Sequence, residues 1–398
     1  MQASGRLART AGYYLAFIAL GLAGASLGPT LAGLAAHTGS RLSAISFIFT
    51  ASSLGYLIGS FGGGRLYDRV PGHSLMVGVL VAMAAGLALV PLIPVLWLLI
   101  AARLLVSVAE GAVDVGGNTL LVWAHGEGVG PYMNGLHLAF GVGAFVSPLI
   151  IAQAMRLSGD ITWAYWALAL CALPAALWLA RLPSPPRRRI AHEAAPAAPA
   201  ESPALSGKGA VRQDPWGNPL VALLTAFFFL YVAAEVCFGD WAYTYALSLG
   251  LGDAAGAAYL TAAFWGAFMG GRLLGVGLAA RFCPERILLG DLAGCLLSLG
   301  VIFLLPRSAV ALWVGTLGLG LSMASIFPTT YTLAGQRLSI SGRIAGWFAA
   351  GASAGGMLLP WVVGQLFEPV GPRVTVWALG VDLLVAAGVY AALVRREA

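Results

Sequence analysis

Apolar runs of about 20 residues recur twelve times along this chain, and about 20 helical residues cross a bilayer. That pattern leaves few folds open. A soluble core offers no place for it: 59% of the 398 residues are hydrophobic and only 10% are charged, against roughly 25% charged in an ordinary soluble domain. The 53 glycines agree, since small residues let helices approach closely in lipid. The expected fold is an all-α membrane protein of twelve transmembrane helices in two six-helix bundles.

The spans are read at residues 11–36, 44–66, 74–91, 94–124, 131–155 and 161–181. A second set follows at 217–249, 254–281, 287–305, 309–336, 342–367 and 374–394. The first run follows Arg6 and Arg9 but is longer than the roughly 7–15 apolar residues of a signal peptide, so it reads as an uncleaved first helix. Residues 182–216 differ in character, with Pro183, Pro185, Pro186, Pro196, Pro199 and Pro203 behind which no apolar core gathers, and with Arg187, Arg188 and Arg189. They read as a loose, disordered linker. The domains expected are 1–181, the linker 182–216, and 217–398.

Twelve spans put both termini on one side. Loops and ends on that side hold 16 of the 22 Lys and Arg residues; the opposite loops hold Arg41, Arg156, Arg307 and Arg373. Positive charge stays in the cytoplasm, which places both termini and the linker there, in a cell (inner) membrane. The net charge of +6 is therefore spread over loops and does not form a nucleic-acid face. Cys171, Cys237, Cys283 and Cys295 form no CxxC pair and read as small packing residues.

The two halves repeat. Residues 64–71 align with 277–284, and GAFVSP at 143–148 aligns with GGMLLP at 355–360, at nearly one offset. Transporters are often built from such repeats, with the site near midplane where they meet.

Ionisable groups inside spans carry the functional reading, because each must face a cavity or a partner. Glu110, Asp114 and Asn118 are spaced four apart on one stripe of helix 4. Two close carboxylates repel, so one of them is expected to exchange a proton or hold a cation during transport. The alternative for Glu110 is a pair with Arg103, seven residues away on nearly the same face. Helix 7 adds Glu235 and Asp240 with Trp241, Tyr243 and Tyr245; Asp240 reads as lying near the outer mouth. Helix 5 adds Asn134, His137 and Gln153, helix 8 adds Trp265 and Arg272, and helix 11 adds Trp347. Aromatic faces beside hydrogen-bonding groups suit a sugar, although Trp241 fits an interfacial belt equally well.

Gly62-Gly63-Gly64-Arg65 with Asp68 and Arg69 resembles the loop signature of the major facilitator superfamily, G-x-x-x-D-R at its core, with His73 where a basic residue is usual. These three charged residues are assigned to gating. Residues 229–236 (FLYVAAEV) with Trp241 and Tyr245, and residues 271–284, resemble helices 7 and 8 of the fucose:proton symporter family. Residues 114–118 (DVGGN) and 136–145 (LHLAFGVGAF) are similar to the sodium-dependent glucose transporter-like branch. The resemblance implies cation-coupled uptake of a monosaccharide by alternating access. It implies an acid–Asn pair at Asp114 and Asn118, and an acid, Glu235, where fucose permeases hold Gln. The acid those permeases use in helix 1 is absent; Tyr13, Tyr14, Ser26 and Thr30 are the polar groups there.

The reading is thus a symporter driven by H⁺ or Na⁺. Asp114 with Glu110 and Glu235 couples the cation. Asn118, His137, Trp241, Trp265, Asn134 and Tyr245 bind the solute. Asp68, Arg65 and Arg69 gate. No metal is expected beyond Na⁺ at Asp114 and Asn118, and no cofactor beyond the coupling ion. The partners are a small-molecule substrate and the bilayer, with no nucleic acid, and the chain is expected to act as a monomer. No nucleophile–base cluster suggests an enzyme. The alternative is a proton-driven exporter of drug-like or lipophilic compounds, which needs fewer neutral polar groups than Asn118, Asn134, His137 and Gln153 supply.

Overall fold

The computed structural model describes residues 2–186, 218–338, 340 and 342–395. Twelve helices among the described residues are long and apolar enough to cross a membrane. The first half holds α1 (Gly5–Gly24), α2 (Leu42–Tyr67), α3 (Gly72–Leu92), α4 (Leu96–His125), α5 (Gly130–Ser158) and α6 (Ile161–Ala180). The second holds α7 (Pro219–Ser248), α8 (Ala254–Ala279), α9 (Pro284–Leu304), α10 (Ala309–Arg337), α11 (Arg343–Val370) and α12 (Val374–Arg395). The side where α1 begins and α12 ends is called the terminal side, and the opposite one the distal side.

Glycines set the helix pairs, in the same way in both halves. In the first, Gly143 of α5 lies against the Ile18 carbonyl of α1, and Gly59 of α2 against the Val108 carbonyl of α4. In the second, Gly355 of α11 lies against the Phe229 carbonyl of α7, and Gly320 of α10 against the Phe264 carbonyl of α8. A Cβ at any of these four positions would collide with backbone, so only glycine allows the approach. The repeat GAFVSP/GGMLLP therefore marks equivalent contacts, α1 on α5 and α7 on α11.

Three spans read as continuous helices are broken; the second turns at Ser46, between Leu42–Ile45 and Phe47–Tyr67. The first turns at Ala25 and Ser26 before resuming as Leu27–His37, and α10 turns at Ala324 and Ser325. The breaks in the first span and in α10 both carry the pattern Ala-Ser-x-x-Pro, at residues 25–29 and 324–328. Pro29 and Pro328 have no N–H to give the carbonyls of Ala25 and Ala324, which removes the helical bond at each turn. Ser26 donates to the Ala23 carbonyl at 2.7 Å, and Ser325 to Asp291 of α9 at 2.7 Å.

The expected linker begins in an ordered way. The buried His73, at the start of α3, donates from Nδ1 to the Leu182 carbonyl (2.9 Å), from its backbone N–H to Ser184 Oγ (2.9 Å), and meets the Tyr13 hydroxyl at 2.9 Å. Arg9 donates to the Pro183 carbonyl at 3.0 Å. His73 thus anchors a chain end rather than carrying loop charge. Arg187, Arg188, Arg189, Pro196, Pro199 and Pro203 lie outside the described residues.

Candidate functional site

The polar groups expected inside the spans separate into a central set and a distal set. Asn118 of α4, His137 of α5 and Arg272 of α8 each lie seven residues in from the terminal-side end of their helices, at His125, Gly130 and Ala279. They therefore share one level in the membrane. Asp114 lies one turn deeper than Asn118. The Asn118 amide donates to the Asp114 backbone carbonyl at 2.9 Å and to its carboxylate at 3.2 Å. Tyr56 of α2 donates a further hydrogen bond to that carboxylate. Asp114 and Asn118 both keep partial solvent access within the bundle, as groups lining an internal opening do.

The second half repeats this arrangement. Glu235 of α7, also half-buried, lies within electrostatic reach of Arg272 and of the Tyr231 hydroxyl one turn before it, a buried group with no hydrogen-bond partner among the described residues. The Arg272 guanidinium stands 4.9 Å from the Phe268 ring centre, and Phe268 meets Trp265 edge-on at 5.6 Å. Trp265, Phe268 and Arg272 fall at i, i+3 and i+7, on one face of α8. Trp265 remains half-buried. His137 also lies within reach of the Arg272 charge and touches the Phe17 ring of α1 (6.0 Å), against which Gly117 of α4 packs. Each half thus presents an acid beside a tyrosine, with Arg272 near the acid of the second half. Tyr56 and Tyr231 had no role in the sequence reading. The spacing of Tyr231 to Glu235 is visible in sequence; Tyr56 comes from another helix and gives no local signal.

Other residues fall elsewhere. Glu110 takes the paired arrangement: Arg103 Nη1 to Glu110 Oε1 is 2.8 Å, Nη2 to Oε2 is 3.4 Å, and Ser107 donates to Oε2 at 2.9 Å, all buried. Both oxygens of Glu110 are occupied, which separates it from the Asp114 set. Trp241 is fully buried; its indole N–H donates to the Pro360 carbonyl at 3.1 Å and its ring stacks on Phe367 at 5.0 Å. It seals the distal side instead of offering a face to a solute. Tyr245 is buried four residues further out, within reach of the Arg373 charge. Asn134 is exposed near the terminal-side end of α5. Trp347 lines an apolar groove of about 550 Å³ with Phe229 of α7 and Val385 and Val389 of α12.

The halves are fastened on the distal side. Gln365 of α11 donates to the Ser43 carbonyl (2.7 Å) and to Ser46 Oγ (3.0 Å). Glu368 accepts from the Leu42 N–H (3.0 Å), and Gln153 of α5 donates to Tyr259 of α8 (2.7 Å). On the terminal side Arg65, Asp68 and Arg69 are exposed at the end of α2, and Arg65 donates to the Phe61 carbonyl of its own helix at 3.3 Å. In the second half, the terminal-side ends of α9 and α10 are joined by an ion pair, Arg337 to Glu285 at 3.1 Å, and Tyr390 donates to the Glu285 carbonyl at 2.7 Å.

The family model described as Major Facilitator Superfamily matches residues 13–360. The chain belongs to the major facilitator superfamily. Within it, the chain belongs with the sodium-dependent glucose transporter-like proteins. It is 33% identical over 366 residues to Sodium-dependent glucose transporter 1 of Xenopus laevis, covering 86% of this chain and 72% of that protein. It is 30% identical over 385 residues to Sodium-dependent glucose transporter 1A of Mus musculus, covering 89% of this chain and 88% of that one. The solved nucleoside transporter NupG superposes with a TM-score of 0.78 over 98% of this chain and 99% of its own, at 14% identity. A D-xylose-proton symporter superposes at 0.74 over 96% and 97%, at 16% identity. The protein is a multi-pass membrane transporter of the major facilitator fold, not an enzyme.

Proposed function

We propose that this transporter carries a monosaccharide or similar small polar solute in symport with a cation, by alternating access. The observation that carries the reading is the central set: two half-buried acids, Asp114 and Glu235, one in each half, each beside a tyrosine, with Arg272 as the cationic neighbour of Glu235. Arg272 faces Glu235 while Asp114 meets only neutral donors, which leaves one negative charge in excess. A proton or a sodium ion removes that excess, which lowers the cost of closing low-dielectric protein around the site. Sodium-dependent relatives support Na⁺ as the ion, with Asp114 and Asn118 oxygens as its ligands.

The solute binds beside these acids. Trp265 offers a half-buried ring on which a sugar's apolar face stacks, while Asn118, His137, Glu235 and Arg272 supply donors and acceptors to its hydroxyls. The abundance of such groups disfavours the exporter of lipophilic compounds. The arginine count places the terminal side, both termini included, in the cytoplasm of a cell membrane. The distal fastening then makes this a form closed to the outside. Asp68, Arg65 and Arg69, free of the opposite half here, engage it when the cytoplasmic side closes. The domain limits 1–181 and 217–398 mark the two bodies that rock, and each chain works as a monomer.

The test is uptake of labelled monosaccharides into proteoliposomes under a sodium gradient and, separately, a pH gradient. Accumulation of at least one sugar under one gradient is expected. A protein that moves no sugar under either, yet expels a cationic dye under a pH gradient, replaces this reading with the exporter.

A further inference from the structure

A charged group that the central set leaves unused is Asp240, in the distal seam. Its helix α7 crosses the distal segment Leu27–His37 of the first span at very short range. A Cβ on Gly28 would stand 2.9 Å from Asp240 Cα and 2.9 Å from the Gly239 carbonyl oxygen. Asp240 therefore sits in the plane where the two halves meet.

Across that plane lies Arg103, buried at 3% exposure, with a buried Nε that has no hydrogen-bond partner. Glu110 already occupies its two terminal nitrogens. Asp240 lies within electrostatic reach of both Arg103 and Glu110. On its own helix Asp240 acts on the Cys237 thiol. From α6 the Tyr165 hydroxyl faces Arg103 and meets Thr30 at 2.9 Å. These neighbours are one guanidinium, two carboxylates and neutral groups.

The charges do not cancel. Glu110 balances Arg103, and Asp240 brings a second negative charge into the seam from the opposite half. A carboxylate without a compensating charge resists removal from water. The break next to it adds an acceptor: Pro29 leaves the Ala25 carbonyl without its helical donor, one turn before Gly28.

We propose that closing the distal seam takes up one monovalent cation at Asp240, a proton or a sodium ion, at a place separate from the central acids. The proposal extends the cation-coupled reading above: it gives the driving ion a second point of action, on the gate itself. When the seam opens, Asp240, half-buried here, becomes fully exposed to water and releases the ion, so outward opening and ion release on that side are one event.

Hydrogen exchange of the full chain in lipid nanodiscs, without sugar, reads the seam directly at residues 27–37 and 238–248. After correction for the intrinsic pH dependence of exchange, the wild type should exchange there about ten-fold faster in alkaline, sodium-free buffer than in acidic buffer, a coupling of ordinary size. Sodium that restores protection in alkaline buffer identifies sodium as the ion; protection restored by acid alone identifies the proton. Asp240→Asn should remain protected in all conditions. Glu110→Gln should do the same, because Asp240 then balances Arg103, and this variant carries the test if the first fails to fold. Seam exchange in the wild type that follows neither pH nor sodium overturns the proposal, as does a dependence that survives in a folded Asp240→Asn or Glu110→Gln. No sugar is present, so a protein that fails the uptake panel can still pass here, and the two failures are distinguishable.

Discussion

Asp114 and Glu110 stand one helical turn apart, yet their oxygens have different fates. Both oxygens of Glu110 are taken by Arg103 and Ser107, whereas Asp114 meets only neutral donors, Tyr56 and Asn118. A paired carboxylate has little reason to exchange its cation, and one held by neutral donors has every reason. Asp114→Asn should therefore abolish gradient-driven accumulation while sparing counterflow exchange; both are read in proteoliposomes, and undiminished accumulation removes Asp114 from the coupling role. The Arg103–Glu110 pair makes a different prediction. Arg103→Met strands a buried carboxylate and should cost about 3–5 kcal/mol, while Arg103→Met with Glu110→Met should be nearer neutral. Thermal unfolding of the single and double variants in detergent checks this, and a double variant no better than the single one contradicts the pairing. Equal spacing on one stripe made Glu110 and Asp114 look alike in the sequence. Their separation depends on Tyr56, from another helix, and on the rotamer of Arg103, neither of which a spacing records.

At the scale of the helix, the spans were legible because lipid admits few alternatives: a backbone with no water must close its hydrogen bonds within each segment. The repeat was legible too, and it marks glycine contacts with neighbouring backbones. Gly143→Leu and Gly355→Leu should each sharply reduce the yield of monodisperse protein on size-exclusion chromatography, since neither opposing carbonyl, Ile18 or Phe229, can retreat. Gly78→Leu, on α3 with open space at its Cβ, should leave the yield near wild type; an equal loss at all three positions contradicts this account of the packing. The helix breaks at Ala25 and Ala324 were hidden because hydropathy runs unbroken through both. Their signal lies in the backbone chemistry of Pro29 and Pro328, four residues on. Trp241 was open to two readings, belt or site, and took a third: a neighbour's carbonyl, that of Pro360, holds it as a plug.

At the scale of the molecule, each half carries one acid and one tyrosine to the centre, and hydrogen bonds join the halves along the distal side. The lines holding them there, Gln365 to Ser43 and Ser46, Leu42 to Glu368 and Gln153 to Tyr259, are four hydrogen bonds between polar groups. Such a seam is strong enough to close and weak enough to reopen. In the proposed mechanism the central set and the seam each hold one negative charge more than their arginine balances, and each takes up a cation. Moving a neutral sugar with a compensating cation must then move charge. The most direct measurement is the transient current when sugar is added to proteoliposomes on a solid-supported membrane. The account predicts an inward positive current in the wild type, sustained by sodium or by protons, and lost in both Asp114→Asn and Glu235→Gln. Sugar entry without current in the wild type, or the same current in all three proteins, contradicts it.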